Sequence, residues 1–386
     1  ARIPKDLWIP VCGNWFAIRI TPWNKQFGCY STYSAWLQPE NGSIGRWQVV
    51  CSWLFCSKEV PIFQKVFPRK NIRITRITSE KYQGFANQRT KELITANTPL
   101  HLASVSKVLT ATAILRLVES DNVMLDQKVT DWLPSFPYKS TTIRTLLNHR
   151  SGLQHYSRFP ALLKTGWNKK KILTNQDVLD LMAKHKFRLL TPHDTRFDYC
   201  NTNYIILALI IEKATGLKYE KAMNELIFKP LGMKHTYVFD DDKDRKKIVP
   251  SYKGNGVEIG FDYLDNVYGD KNIFSTVRDL LKFDRARNSP DFLKPALLKQ
   301  VYTGYSNERK GTKNYGLGIR MINWETGQNF YFHNGWWHGN TSSYITLMKE
   351  HVTIIALSNK MTRNTYAVRK LAPIFGDYPF NFKDEE

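Results

Sequence analysis

Residues 102–118 read LASVSKVLTATAILRLV. Val105, Val108, Leu109, Ala111, Ile114, Leu115, Leu117 and Val118 leave this stretch apolar on most of its circumference, the pattern of a helix buried on most sides. Ser104 and Lys107 stand three residues apart at its start, on one helical face. In a first helical turn, unpaired backbone N–H groups and the helix dipole favour negative charge. A serine there has a base one turn away and donors that stabilise an oxyanion, which is the chemical content of an S-x-x-K pattern. A core helix with a serine cap and a lysine at its water boundary fits the same residues.

The 386 residues suffice for one large domain or two ordinary ones. With 42% hydrophobic and 23% charged residues, the balance is globular. No uninterrupted apolar run approaches bilayer length, and no signal-peptide pattern opens the sequence. The formal net charge is +22, yet Lys and Arg are scattered, the densest run (169–171) is three long, and no nucleic-acid motif accompanies them. Nucleic acid is therefore not expected as a partner; a basic surface suits an anionic cell envelope or a substrate carrying a carboxylate. Cys12, Cys29, Cys51, Cys56 and Cys200 include no pair at zinc-knuckle spacing, and no cofactor or metal is called for.

Residues 1–70 differ from the remainder. They hold Trp8, Trp15, Trp23, Trp36, Trp47 and Trp53 and four of the five cysteines, with few charges and no long helical periodicity. Residues 47–56 (WQVVCSWLFC) and 71–78 (NIRITRIT) read as strands. Beyond 119, helices are predicted at 142–149, 176–185, 201–215 (stopped by Gly216), 218–228 and 276–287, with 190–199 irregular and 240–247 a charged loop. The last hundred residues change to strands at 315–323, 329–333, 342–348 and 351–358, with a hairpin corner at 348–351 and a final helix at 365–375. Helices in the middle and strands at the far end predict an α+β fold: an antiparallel sheet flanked by helices plus a mainly helical subdomain.

Two further patterns carry chemistry. Tyr199-Cys200-Asn201 sits in a turn before an apolar helix, where a phenol and an amide can face a cleft. Asn201 also suits a helix cap. His333-Asn334-Gly335 precedes Trp336, Trp337, His338 and Gly339 on an edge strand, and a strand glycine lets another backbone approach closely. His333 and His338 also fit strand-end surface positions, or metal ligands lacking a third partner.

The order S-x-x-K, Y-x-N, H-x-G resembles the serine β-lactamase and penicillin-binding protein family, in its class C β-lactamase, D-Ala-D-Ala carboxypeptidase and esterase branch. The segments LLNHRSGL, FDYCNTNYIILALIIEKATG, IFKPLGM, IFSTVRDLLKF and HNGWWHG are similar too, from about residue 80 onward. Cys200 departs from the family's usual Ser or Ala, and Arg150 from its usual Thr. The resemblance implies a β-lactamase-like domain over 71–386, with a helical subdomain inserted at roughly 120–270. Residues 1–70 are then either an unrelated appendage or the product of a reading-frame error upstream. It further implies acyl transfer through a serine ester: Ser104 as nucleophile, Lys107 and Tyr199 as the proton-transfer groups, and the backbone N–H groups of Ser104 and Trp336 as the oxyanion hole. Asn201 would hold a substrate amide, and His333 would orient Tyr199 or meet a substrate carboxylate. Trp336 and Trp337 form an apolar wall or, for Trp337, part of the core. His149 is expected to be structural. The expected substrate is a small molecule, peptide or ester; a true β-lactamase and a non-catalytic binding protein on the same fold are the alternatives. Family members often act in the periplasm or cell envelope.

Overall fold

The computed structural model describes residues 74–163 and 167–380, together with the backbone of four strands, Asp6–Val11, Asn14–Thr21, Thr32–Pro39 and Gln48–Phe55. Its centre is a seven-stranded sheet. The strands follow one another across it as Lys313–Tyr315, Arg320–Asn323, Asn329–Trp337, Asn340–Leu347, Val352–Ser358, Gln48–Phe55 and Ile74–Tyr82. Every pairing is antiparallel. The two early stretches read as strands thus lie side by side at one end of the sheet, one of them drawn from the Trp- and Cys-rich segment.

The strands alternate between two cores because successive side chains point to opposite faces. Tyr344, Ile355 and Leu357 join the large core with Val277, Leu280, Leu281 and Phe283 of the Val277–Arg287 helix. Ile345, Leu347, Ile354 and Ala356 join a smaller core with Val368, Ala372 and Tyr378 from the C-terminal segment. With both faces covered, Asn340–Leu347 is buried along its whole length. The architecture is α+β.

The apolar stretch after Ser104 forms the helix Ser106–Glu119, buried from Ser106 through Leu115. It packs against Thr202–Thr215, which is buried from Thr202 through Ile211 and ends at Gly216 in the left-handed conformation (φ +68°). Full burial of one such Ile or Leu contributes roughly 1.5–3 kcal/mol, so this helix pair anchors the site. A small sheet, ordered Leu100–His101, Ile273–Ser275, Tyr237–Val238, brings the chain before Ser104 against the chain after Asp270.

Elements differ from expectation in several places. The run predicted as one strand at 315–323 folds as two antiparallel strands, Lys313–Tyr315 and Arg320–Asn323, because Gly318, in the left-handed region at φ +81°, turns the chain between them. The charged loop at 240–247 contains one helical turn, Asp241–Asp244. The final helix is a short α-turn, Asn364–Ala367, that tightens into the 3-10 segment Val368–Ile374; Pro373 within it has no N–H to continue an α-ladder.

Candidate active site

Ser104 lies one step ahead of the helix, in the 3-10 turn Ala103–Val105, and the α-helix itself begins at Ser106. The cause is Ala103, held at φ +47° at a cost of about 1–2 kcal/mol. Its surroundings fix it there. Leu102 N–H donates to the Ile273 carbonyl (2.8 Å), and Ala103 N–H donates to His101 Nδ1 (2.9 Å). Burial pushes the His101 imidazole down to about 4, so it is neutral and its other nitrogen faces Asn272 Oδ1 at 3.2 Å.

Lys107 is fully buried. Its Nζ donates to Ser104 Oγ at 3.1 Å and to the Asp270 carbonyl at 2.8 Å. Behind that carbonyl, Lys271 and Tyr156 are buried as well: Lys271 Nζ donates to Tyr156 Oη (2.8 Å), which donates to Asp270 Oδ2 (3.2 Å). Burial pushes the Lys271 amine below its ordinary range, with the Asp270 carboxylate opposing.

The Tyr199 ring lies close to the same amine, with Lys107 Nζ 5.3 Å from its centroid. The turn carrying it is pinned by His149. Asp198 N–H donates to the His149 carbonyl (2.9 Å), Cys200 N–H donates to His149 Nδ1 (3.1 Å), and the two rings lie 4.4 Å apart. Burial drives the His149 imidazole well below its usual range, the nearby Lys107 and Arg320 cations adding to this, so His149 is a neutral prop. Asn201 precedes the Thr202–Thr215 helix, but its side chain does not cap the helix, and its buried Oδ1 is left unpartnered. Burial pushes the Cys200 thiol up to about 11, which keeps it protonated and unreactive.

His333, Gly335 and Trp336 lie on one continuous strand, Asn329–Trp337. Its pairing with Arg320–Asn323 stops at Phe332, so the part from His333 onward is an open edge although the strand sits inside the sheet. His333 is buried and its pKa is driven well below the usual range, by burial first and then by Arg320 and Lys107. One ring nitrogen faces the Asn334 carbonyl (2.9 Å), which can only accept, so the other accepts from Tyr315 Oη (3.3 Å). Its ring centroid is 6.1 Å from that of Tyr199. Gly335 has no room for a side chain: a Cβ would fall 2.5 Å from Leu102 O and 2.9 Å from Ser104 N. The open half-strand is thus pressed directly against the nucleophile turn.

Trp336 is 57% exposed, as a cleft wall would be. Trp337 instead packs inward, donating its indole N–H to Asp265 Oδ1 (2.7 Å), with Lys271 Nζ 4.5 Å from its ring. His338 pairs with the same carboxylate at 2.9 Å; burial alone would lower its pKa, but Asp265 outweighs that and raises it. Asp262, Asp265 and His338 bring ligand atoms within 4.8 Å of one another, a grouping invisible in the sequence, but both Asp265 oxygens are already engaged.

Arg320 was not singled out by the sequence, although an arginine amid the apolar GLGIRMI run was a signal. Its guanidinium carbon lies 4.5 Å from the Tyr199 ring centroid and 5.8 Å from that of Tyr315. Among the described residues no carboxylate is paired with it.

The chain belongs to the Beta-lactamase family, whose model matches residues 71–375. Penicillin-binding protein 4* of Bacillus subtilis (strain 168) is 31% identical over 298 residues, 73% of this chain and 65% of that protein. A D-aminopeptidase of Cereibacter sphaeroides is 28% identical over 212 residues, 54% of this chain and 40% of that protein. Among solved structures, a penicillin binding protein from Bacillus halodurans shares the fold, with a TM-score of 0.69 at 21% identity over 84% of this chain and 95% of that one. The chain spans under two thirds of the length of these two sequence relatives.

Proposed function

We propose that this protein is a serine hydrolase that forms an acyl-enzyme at Ser104 and cleaves a peptide or amide whose leaving side bears a carboxylate. The observation that carries the reading is the 3.1 Å contact between Lys107 Nζ and Ser104 Oγ, with the Gly335 strand pressed against Ser104 N. Ser104 Oγ bonds to the substrate carbonyl carbon as its proton passes to Lys107, the base within hydrogen-bond reach when neutral. The C–N bond then breaks and the amine leaves with a proton delivered through Tyr199. Water, deprotonated at the same group, attacks the ester, releasing the acid and restoring the serine. The N–H groups of Ser104 and Trp336 hold the oxyanion, and Asn201 accepts from a substrate amide.

Charge selects among substrates. His333 is neutral, so it cannot counter a carboxylate electrostatically; Arg320 beside Tyr199 can. A substrate with a free ammonium group, as the name D-aminopeptidase implies for that relative, would have to settle near the Arg320 guanidinium. A terminal carboxylate is the better match. Arg320→Gln is expected to raise KM for a peptide ending in D-Ala-D-Ala by about tenfold or more, because charge-assisted hydrogen bonds contribute roughly 1.5–3 kcal/mol. KM for its C-terminal amide should barely change. Equal losses on both peptides would refute the carboxylate assignment.

Tyr199→Phe is expected to slow deacylation by about 100-fold or more, the lower end of general acid–base contributions, with little effect on binding. Acyl-enzyme accumulating in stopped-flow traces is the readout; parallel loss of binding and turnover would remove Tyr199 from proton transfer. The deciding experiment is a panel of chromogenic esters, nitrocefin and D-Ala-D-Ala peptides. Fast nitrocefin turnover would favour a true β-lactamase, and no turnover with no acyl adduct by mass spectrometry a binding protein. Family resemblance and the +22 charge support a location at an anionic cell envelope. Among the described residues no helix is long and apolar enough to cross a membrane.

A further inference from the structure

The second oxyanion donor proposed above is the N–H of Trp336. That N–H and the carbonyl of Gly335 belong to a single planar peptide unit. In a trans peptide the two groups point to opposite edges of a strand, so whatever grips the carbonyl also aims the N–H. Tyr366 Oη donates to the Gly335 carbonyl at 3.0 Å. We propose that Tyr366 is a positioning residue for acylation, holding and polarising the Gly335–Trp336 peptide from behind so that its N–H is set for the oxyanion. This rests on the serine hydrolase reading and deepens it.

Three further observations support the assignment. Tyr366 comes from Asn364–Ala367, a helical turn packed on the strands Asn340–Leu347 and Val352–Ser358, away from the open edge of the Gly335 strand. That turn is tied down at the matching register: Thr365 Oγ1 and Thr341 Oγ1 are 2.8 Å apart, and Thr341 is the residue paired with Trp336. The phenol is therefore anchored beside the peptide it grips. Burial also pushes its pKa up to about 12, so it keeps its proton, and remains a donor, across the working pH range. A hydrogen bond to a carbonyl draws charge from the whole amide, strengthening the N–H on the far side by about 10–30%. It also removes the reorganisation needed to aim that N–H when charge develops. The nucleophile's own N–H gains nothing from this contact, so the effect should be partial.

The test is Tyr366→Phe, which removes the hydroxyl and keeps the ring. The acylation rate constant with a fluorophosphonate, and kcat on the best substrate of the panel, are expected to fall by about three- to thirty-fold, a fraction of what losing an oxyanion donor costs. KM should stay within twofold. Affinity for a phenylboronic acid, whose tetrahedral adduct on Ser104 places an oxygen in the hole, should fall by the same factor as kcat. Final labelling stoichiometry should match the parent protein, so that slow acylation is not mistaken for misfolded material. Thr365→Val, which loosens the turn but spares the phenol, should give a smaller loss of the same kind. Unchanged acylation and boronate affinity in Tyr366→Phe, while the parent protein labels and turns over, would overturn the role of Tyr366 alone. A rise in KM with kcat unchanged would also overturn it, making Tyr366 part of substrate binding. A parent protein that takes no label would overturn the hydrolase reading instead.

Discussion

Ser104→Ala is expected to eliminate covalent labelling by fluorophosphonates and penicillins, and to cut kcat by as much as about a millionfold, the scale seen when a serine nucleophile is removed from an assembled site. The structure explains why nothing should substitute. Cys200 is buried with its thiol raised to about 11 and faces the packed side of its turn. Lys107 is fully buried and already donates to the Asp270 carbonyl. The fold should tolerate the change. Ser104 Oγ accepts one hydrogen bond, from Lys107, and that amine keeps its second partner when the hydroxyl goes. The stability effect should therefore stay within about 1–2 kcal/mol, the range of a single hydrogen bond. Thermal unfolding beside active-site titration makes the comparison. Hydrolysis persisting at the parent rate in Ser104→Ala would remove this serine from the reaction and leave the Lys107 contact without a chemical purpose.

How much of this was legible before folding depends on the range of each interaction. The two apolar helices, Gly216 as a stop and the last two strands follow from local periodicity, and the sequence places them within a few residues. The pairing of Ser104 with Lys107 is also local, one turn apart. Tyr199 and His333 were legible only as members of ordered short patterns, since nothing local says that either faces Lys107. The rest of the site was silent because it is made of long-range contacts on groups with no pattern of their own. The Asp270 carbonyl that holds Lys107 is a backbone atom. Arg320 looks like one charge on a mixed strand until Tyr199 arrives over it. Tyr366 has meaning only through a carbonyl on a strand two hairpins earlier in the chain. Burial decided His333 as well: its neutrality follows from complete enclosure near two cations, which composition cannot report.

The other large effect is expected at Gly335, where a methyl group should do what charge removal does elsewhere. In Gly335→Ala the new Cβ would lie 2.5 Å from Leu102 O, 2.9 Å from Ser104 N and 2.3 Å from Ser342 Oγ, all inside the closest approach of real atoms. The Ser342 hydroxyl could rotate, but it donates to that same Leu102 carbonyl at 2.6 Å, so its departure would strip a bond from the nucleophile turn. The other two atoms are backbone and cannot swing away. Either the strand backs off, withdrawing the Trp336 N–H and the carbonyl held by Tyr366, or the turn shifts and carries Ser104 with it. Each displacement is of order 1 Å, and misplacements of that size cost roughly 100-fold in rate. Overpacking of this kind costs about 1–3 kcal/mol in stability, which a domain with two buried cores should survive. The expected result is a folded protein, with secondary structure unchanged by circular dichroism, whose acylation by a fluorophosphonate is slowed about 100-fold or more. If acylation stays within a few-fold of the parent while the protein remains folded, the strand does not supply an oxyanion donor to Ser104, and the hole must be built from other groups.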